Sequence, residues 1–276
     1  MNRLLAPLLR DPARHLYKLA SDPCYRTMAR LASRYGRVKP AQPRDVRLHG
    51  WTIHAPDVPS FLWAYYWTFV ERTYEFRARR PDPLIVDCGA NIGLSVLYFK
   101  SIYPEARIVA YEADPRIFEV LRRNIEGNGI TGVELINQAV GAADGTASFW
   151  SQGGDSGRLA VEADRAKDLI TVPVVRLCDR LGGREVDLLK MDIEGAEADV
   201  LTDCAGAMAG VAAICAEYHS FPGRRQRLGE VIARLEDAGF RAQVTQVIRA
   251  GSPLVPERRV LIEGMDVQLH LYFYRP

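Results

Sequence analysis

The chain has 276 residues, 48% hydrophobic and 25% charged, with a formal net charge of +2. That balance excludes an extended disordered chain and fits one packed globular domain with a small appendage. No apolar run approaches the roughly 20 residues a membrane-spanning helix needs, and Arg10 and Asp11 cut short the apolar stretch of MNRLLAPLLRDPARH, so no signal peptide is read and a cytoplasmic location is expected.

Charge is unevenly spread. Residues 1–50 carry eleven Lys/Arg against three Asp, a net +8, which leaves −6 for the rest. Such an arm suits an anionic membrane surface, a phosphorylated substrate or nucleic acid; the plainer alternative is a solvated helix face. The five cysteines (Cys24, Cys88, Cys178, Cys204 and Cys215) are odd in number and scattered, without CxxC. They argue against a disulfide framework or zinc knuckle, and four of them read as small core residues.

In chain order, LYKLASDPCYRTMARLASRYG has the three- and four-residue apolar spacing of a helix, and residues 1–40 are read as helical until Gly36, Pro40 and Pro43. DVRLHGWTIHAP predicts a hairpin around Gly50. FLWAYYWTFVERTYEF predicts a helix with Trp63, Tyr66, Trp67, Val70 and Tyr74 on one stripe, read as a packed lid or as an aromatic surface for an acceptor. PDP at 81–83 breaks the chain, dividing a helical and aromatic extension (1–80) from a main domain (81–276).

From Leu84 strands and helices alternate. LIVDCG, ARIVAYEAD, VELINQAVG, VDLLKMDIEG and VAAICAEYHS read as strands, and the intervening LSVLYFKSIY, PRIFEVLRRNIEGNG and AEADVLTDCAGAM as helices. Asp114 before Pro115 is a helix start signal. Residues 143–177 predict a β-excursion. RQRLGEVIARLEDAGF is an amphipathic helix, and FRAQVTQVI and VQLHLYFYRP are the last strands. Short apolar runs point to strands buried on both faces, hence a seven-stranded, mostly parallel sheet covered by helices. The final pair lacks a crossover helix, which predicts one antiparallel strand closing the sheet edge.

In such sheets a ligand sits beyond the carboxyl ends of the strands. LIVDCGANIG lacks the Lys of a phosphate-binding P-loop, and its Gly89-Ala-Asn-Ile-Gly93 order fails the dinucleotide pattern. The acid before the turn, Asp87, repels a pyrophosphate but suits the amino cation of S-adenosylmethionine (SAM). Gly89 and Gly93 allow close backbone approach. Asn91 can bond the turn or the methionine carboxylate. Glu112, 25 residues beyond Asp87, can accept both ribose hydroxyls, with Ala113 beside it, and Gln138 can reach the adenine edge.

LIVDCGANIGLSVLYF, IVAYEADPRIFEVLRRNIEGN, VDLLKMDIEGAEADVL and AEYHS, in this order, resemble the FkbM-type class I SAM-dependent methyltransferases over roughly residues 70–220. The resemblance implies a Rossmann-like methyltransferase fold with SAM as cofactor and O-methylation of hydroxyls on sugars and natural products. The family usually has Glu-Pro at the end of the second strand; here it is Glu112-Ala113, which keeps the acid. Tyr74, by analogy with the family, closes over the cofactor.

Candidate chemistry clusters at the ends of the fourth and fifth strands. His219 is read as the catalytic base, because an unperturbed imidazole suits proton transfer near neutral pH; its plainer alternative is a structural loop histidine. Asp192 and Lys190 complete the catalytic set, with Asp192 orienting the base or touching the acceptor. Glu217 and Glu194 are read as substrate-facing, although a helix N-terminal acid is the simpler role for Glu194. Glu197 is read as a solvated or packing residue. No metal ligand is assigned. Asp192, Glu217 and His219 form an alternative cation set that retention of full activity in EDTA would eliminate. RARR (77–80) and RRQR (224–227) can meet anionic acceptors or be ordinary surface.

The expected function is a SAM-dependent O-methyltransferase acting on a hydroxyl of a sugar, glycan or glycolipid. A polyketide or other natural-product hydroxyl is the alternative acceptor. From another class, the chain can be a nucleic-acid-binding protein with a degenerate fold, against which the intact Asp87, Gly89, Gly93 and Glu112 argue. KMDIEG stands where base-methylating enzymes often carry N-P-P-[YF], which disfavours amino-group base chemistry. No nucleic-acid partner is expected.

Overall fold

The computed structural model describes residues 12–150, 158–159, 169–247 and 264–276. The expectations for residues 1–11 and 249–263 and for most of 151–168 lie outside the described residues.

Two helices open the described chain, α1 (Pro12–Ser21) and α2 (Pro23–Tyr35). Asp22 caps α2 by accepting from the backbone N–H groups of Cys24 and Tyr25, and Pro23 pre-sets the first turn. The predicted hairpin is β1 (Arg44–Leu48) with β2 (Trp51–Ala55), antiparallel. α3 (Val58–Tyr65) follows, capped by Asp57, and runs into a π-turn at Tyr66–Val70. The helix expected to reach Phe76 therefore stops early. Arg72 takes a left-handed φ of 53°, and Thr73 donates both its N–H and its hydroxyl to the Trp67 carbonyl, closing the end.

The main domain comprises β3 (Leu84–Cys88), α4 (Leu94–Ile102), β4 (Arg107–Tyr111), α5 (Pro115–Glu126), β5 (Val133–Ile136), β6 (Ala139–Gly141), β7 (Gly145–Trp150), β8 (Arg158–Leu159), β9 (Leu169–Arg176), α6 (Leu177–Leu181), β10 (Leu188–Met191), α7 (Glu197–Cys204), β11 (Ala213–Ser220), α8 (Leu228–Asp237), β12 (Arg241–Gln246) and β13 (Val267–Tyr274). The large sheet has seven strands in the order β12-β13-β11-β10-β3-β4-β5. Pairings from β11 to β5 are parallel, while β13 is antiparallel to both neighbours. The fold is thus the expected Rossmann-like, mostly parallel sheet with an antiparallel strand in its edge region. One detail differs: the last strand is inserted between β11 and β12, so β12 forms the edge.

The third predicted strand splits. β5 belongs to the large sheet, whereas β6 joins the excursion sheet β6-β9-β7-β8. Asn137 makes the break, its side-chain amide donating to the backbone carbonyls of Glu112 and Ala113. α7 is also shorter than expected, because Ala205–Gly210 tightens into a 3₁₀ turn, and α8 starts only at Leu228.

Each face of the sheet carries its own core. Ile85, Ala110, Leu188 and Cys215 pack with α4, α5, α2, the hairpin and α3. Val86, Val109, Leu189 and Ile214, the alternate residues, pack with α6, α7 and α8. The N-terminal extension therefore supplies one layer of the sandwich: Met28, Phe61, Leu62 and Tyr65 are buried against the sheet side. Of the two basic groups, Arg80 is occupied by Asp187 at 3.0 Å and Arg227 by Asp199 and Glu230, so both tie elements together.

Candidate active site

Strand register builds the centre. Lys190 lies opposite Asp87 on β3 and opposite Cys215 on β11, so the three side chains form one row on the face covered by the extension. The Lys190 ammonium is buried. It donates to the Gly89 carbonyl at 2.5 Å and lies 3.2 Å from Asp87 Oδ1 and 3.6 Å from Asp192 Oδ2. Burial works against its charge, but Asp87 and Asp192 outweigh it and raise its pKa, so Lys190 stands as a fixed cation. Asp87 Oδ2 accepts from Ser95 at 2.5 Å. Asp87 is fully buried, anchored by Lys190 and Ser95 beneath the glycine turn.

Gly89 has φ 87°, and a Cβ there would lie 1.8 Å from the Asp192 carbonyl oxygen. Glycine is needed because the end of β10 presses against this turn, as well as for any approach to a ligand. Asn91, at φ 49°, turns the chain; its Oδ1 accepts from the Ile92 N–H, and its own N–H donates to Glu112 Oε2 at 2.9 Å. Gly93 begins α4. Glu112 Oε1 accepts from the Asp114 N–H. Each Glu112 oxygen thus holds one backbone donor and keeps a lone pair for another. Burial lifts its pKa to about 7, against the opposing backbone hydrogen bonds. Ala113 is half-buried beside it, and Gln138 follows Asn137 in the β5–β6 turn. Tyr74 is half-buried with its ring 5.6 Å from Lys190 Nζ.

This donor set fits SAM. Two acids, Asp87 and Glu112, frame the turn, and its neighbouring cation, Lys190, is already neutralised by Asp87 and Asp192. An adenosyl amino acid offers hydroxyl and amino donors to such acids; a pyrophosphate would meet repulsion.

Beyond Lys190 lies an acidic cluster. Asp192 and Glu194 are partly exposed, at 25% and 21% of their side chains, whereas His219 is at 0% and Glu197 at 1%. Burial raises Asp192 to about 6 and Glu194 to about 8. Glu194 adopts φ 59°, and the next residue, Gly195, needs its φ of 109° because a Cβ would meet the Phe221 ring at 2.7 Å. Glu217 accepts from His270 at 3.2 Å and from the Gln268 amide. Burial opposes its charge, yet His219 and His270 hold its pKa well below the usual carboxylate range.

Two expectations change here. Glu197 is neither solvated nor mere packing: its carboxylate accepts from the backbone N–H groups of Ile193 and Gly195 and pairs with His219 Nδ1 at 2.9 Å. His219 is no free imidazole. Burial would lower its pKa, but Glu197 and Glu194 raise it well above the ordinary value. The unperturbed pKa on which the base reading rested is thus replaced by one raised by two carboxylates. The residues missed from sequence are Ser95, Asn137 and His270. Ser95 had a faint signal, a hydroxyl one helical turn from the glycine turn. The others are set by pairings between distant elements.

The aromatic stripe divides. Val70 is buried in the core, while Trp63, Tyr66 and Trp67 are half-buried. The Trp67 ring meets His270 edge-on at 5.5 Å, and His270 bonds Glu217, so the stripe borders the acidic cluster.

Comparison with known proteins places this architecture. Residues 87–242 match the model of the Methyltransferase FkbM domain. "Methyltransferase 1" of Beauveria bassiana is 32% identical over 157 residues, covering 48% of this chain and 63% of the relative. "2-O-methyltransferase NoeI" of Sinorhizobium fredii is 28% identical over 141 residues, covering 44% and 57%. "31-O-demethyl-FK506 methyltransferase FkbM" of Streptomyces tacrolimicus is 27% identical over 194 residues, covering 58% and 74%. The chain thus spans about three-fifths of the length of the first two relatives. With a family match over more than half its length, on the strands that build the glycine turn and the acidic cluster, the chain belongs to the FkbM family of SAM-dependent methyltransferase domains.

Proposed function

We propose that the protein transfers the methyl group of SAM to an aliphatic hydroxyl of a sugar, glycan or glycolipid. The observation that carries this reading is Lys190, which ties the cofactor turn at Gly89 and Asp87 to the partly exposed Asp192. That connection supports a methyl donor and a carboxylate proton acceptor acting side by side. When bound, SAM supplies a sulfonium methyl: the acceptor oxygen bonds the methyl carbon as the S–C bond breaks, sulfur takes the electron pair, and the hydroxyl proton leaves to a carboxylate oxygen.

The protein's own contribution is placement and charge. Glu112 holds the ribose end. Asp87, buried with Lys190 and Ser95, fixes the glycine turn that receives the amino acid end. Glu194 orients the acceptor hydroxyl and Asp192 takes its proton, work that typically contributes about 10²–10⁴-fold. His219 and Glu217 set the electrostatics behind them. The half-buried Trp63, Tyr66 and Trp67 suit a sugar ring, an amphipathic surface beside acids. The name of NoeI specifies a 2-O position. The name of the FkbM relative specifies a 31-O position on FK506, which supports a natural-product hydroxyl as the second reading.

The test uses methyl-labelled SAM with panels of free glycosides, glycolipids and polyketide alcohols. Label in an alkali-stable ether on a sugar ring supports the first acceptor class, and on a polyketide alcohol the second. Label only in an alkali-labile ester or on nitrogen contradicts O-methyl transfer.

A further inference from the structure

Asp192, Glu194 and His219 each present one donor atom such that all three lie within 4.8 Å of one another. An acidic cluster alone proves little, but this one contains a second observation. The His219 side chain is completely buried, and its Nε2 has no hydrogen-bond partner. Glu217 Oε1 at 3.4 Å and Glu194 Oε2 at 3.6 Å are its acidic neighbours, at ion-pair rather than hydrogen-bond geometry. On the other side of the ring, Nδ1 pairs with Glu197 Oε1 at 2.9 Å, and Glu197 is itself pinned by two backbone N–H groups. A carboxylate that holds one ring nitrogen and points the other at two carboxylates is the arrangement that orients metal-bound histidines. A buried ring nitrogen without a partner is costly unless something occupies that direction.

We propose that Asp192, Glu194 and His219 Nε2 hold a hard divalent cation, Mg²⁺ or Mn²⁺, with Glu197 positioning the imidazole from behind. Two carboxylates against one imidazole, with no thiolate, favour an oxygen-preferring ion of this class, Mn²⁺ tolerating the imidazole better than Mg²⁺; Cys215, the row-mate of Lys190, directs its thiol to the Thr73 carbonyl instead. The partial exposure of Asp192 and Glu194 leaves a path for the ion and open positions on its outer side. Glu217, the third member of the set suggested by the sequence, is taken by His270 and Gln268, and Glu194 replaces it. Binding the ion requires Nε2 to give up any proton it carries. The proposal deepens the O-methyl-transfer reading: a cation here would coordinate the acceptor hydroxyl and favour its deprotonation.

The experiment titrates Mn²⁺ into the chelator-treated full chain, without SAM or acceptor, and follows it by electron paramagnetic resonance. One saturable Mn²⁺ per chain with ¹⁴N modulation in the spin echo is expected. Asp192→Asn and Glu194→Gln, both at partly exposed positions, should each weaken it by roughly tenfold or more with an unchanged melting temperature. Glu197→Gln should reduce the nitrogen modulation, which a purely structural role would not do. Absence of saturable binding, absence of ¹⁴N modulation, or equal affinity in Asp192→Asn overturns the proposal. Calorimetry of SAM on the same chelated protein separates the two ideas. SAM binding without Mn²⁺ binding defeats the cation site alone, and loss of SAM binding defeats the methyl-transfer reading itself.

Discussion

At the scale of single residues, Glu112 sets a pH dependence. Its carboxyl rises to about 7 because it is buried, and only the ionised form offers both oxygens as acceptors to ribose hydroxyls. SAM affinity should therefore strengthen as pH rises through 7, to a level about tenfold tighter at pH 8 than at pH 6, since only the competent fraction binds. Calorimetry across that range checks it, and Glu112→Gln should be weak and flat. For stability the sign is opposite. The folded state binds more protons than the unfolded between the ordinary value of 4.5 and about 7, so this group's contribution declines as pH rises through that window. Lys190 makes a second prediction. Lys190→Met leaves Asp87 charged and buried with only Ser95 beside it, a change that costs about 3–5 kcal/mol; urea unfolding with an unchanged slope should show it.

The strand ends on the glycine-turn side were legible from local pattern: Asp87 lies at the end of β3, Gly89 follows that strand and Glu112 follows β4. The acid side was less so. Glu197 and His219 are 22 residues apart, on a helix and a strand, and nothing local announces their bond. The raised pKa of His219 follows from that pairing and from Glu194, neither of which a local pattern announces.

At the scale of elements, the caps read directly. Asp114 accepts from the Arg116 N–H with Pro115 at the first helical position, and Asp22-Pro23 repeats the device on α2. The place of β13 was not legible, because its insertion between β11 and β12 depends on pairing across an intervening segment rather than on periodicity. Similarly, the split of β5 from β6 hangs on the Asn137 side chain. The extension is attached by packing and, at its hairpin, by the bonds of Asn124 on α5 and Asn128 just beyond it to His54 and Thr52 of β2. Met28, fully buried on α2, tests that attachment. Met28→Ala should destabilise the whole protein by about 2–5 kcal/mol in a single unfolding transition. A separate, earlier transition would show that the extension folds by itself. Gly89→Ala tests the turn. The clash with the Asp192 carbonyl and the left-handed φ should reduce both stability and SAM binding, the strain alone costing about 1–3 kcal/mol.

At the scale of the molecule, the sheet separates two cores, and the candidate site lies along the carboxyl edge between them. No helix among the described residues is long and apolar enough to cross a membrane. The centre joins a cofactor turn, a buried Lys190 and an acidic cluster into one connected set. The claim on which everything else depends is that this turn receives SAM. Calorimetric titration of the full chain with SAM and with NAD, on the wild type and on Asp87→Asn with melting monitored, tests it most directly. Binding of SAM but not NAD is expected, weakened at least about tenfold in a folded Asp87→Asn through loss of a charged partner. Binding of NAD, or SAM binding equal in the folded variant and the wild type, would contradict it.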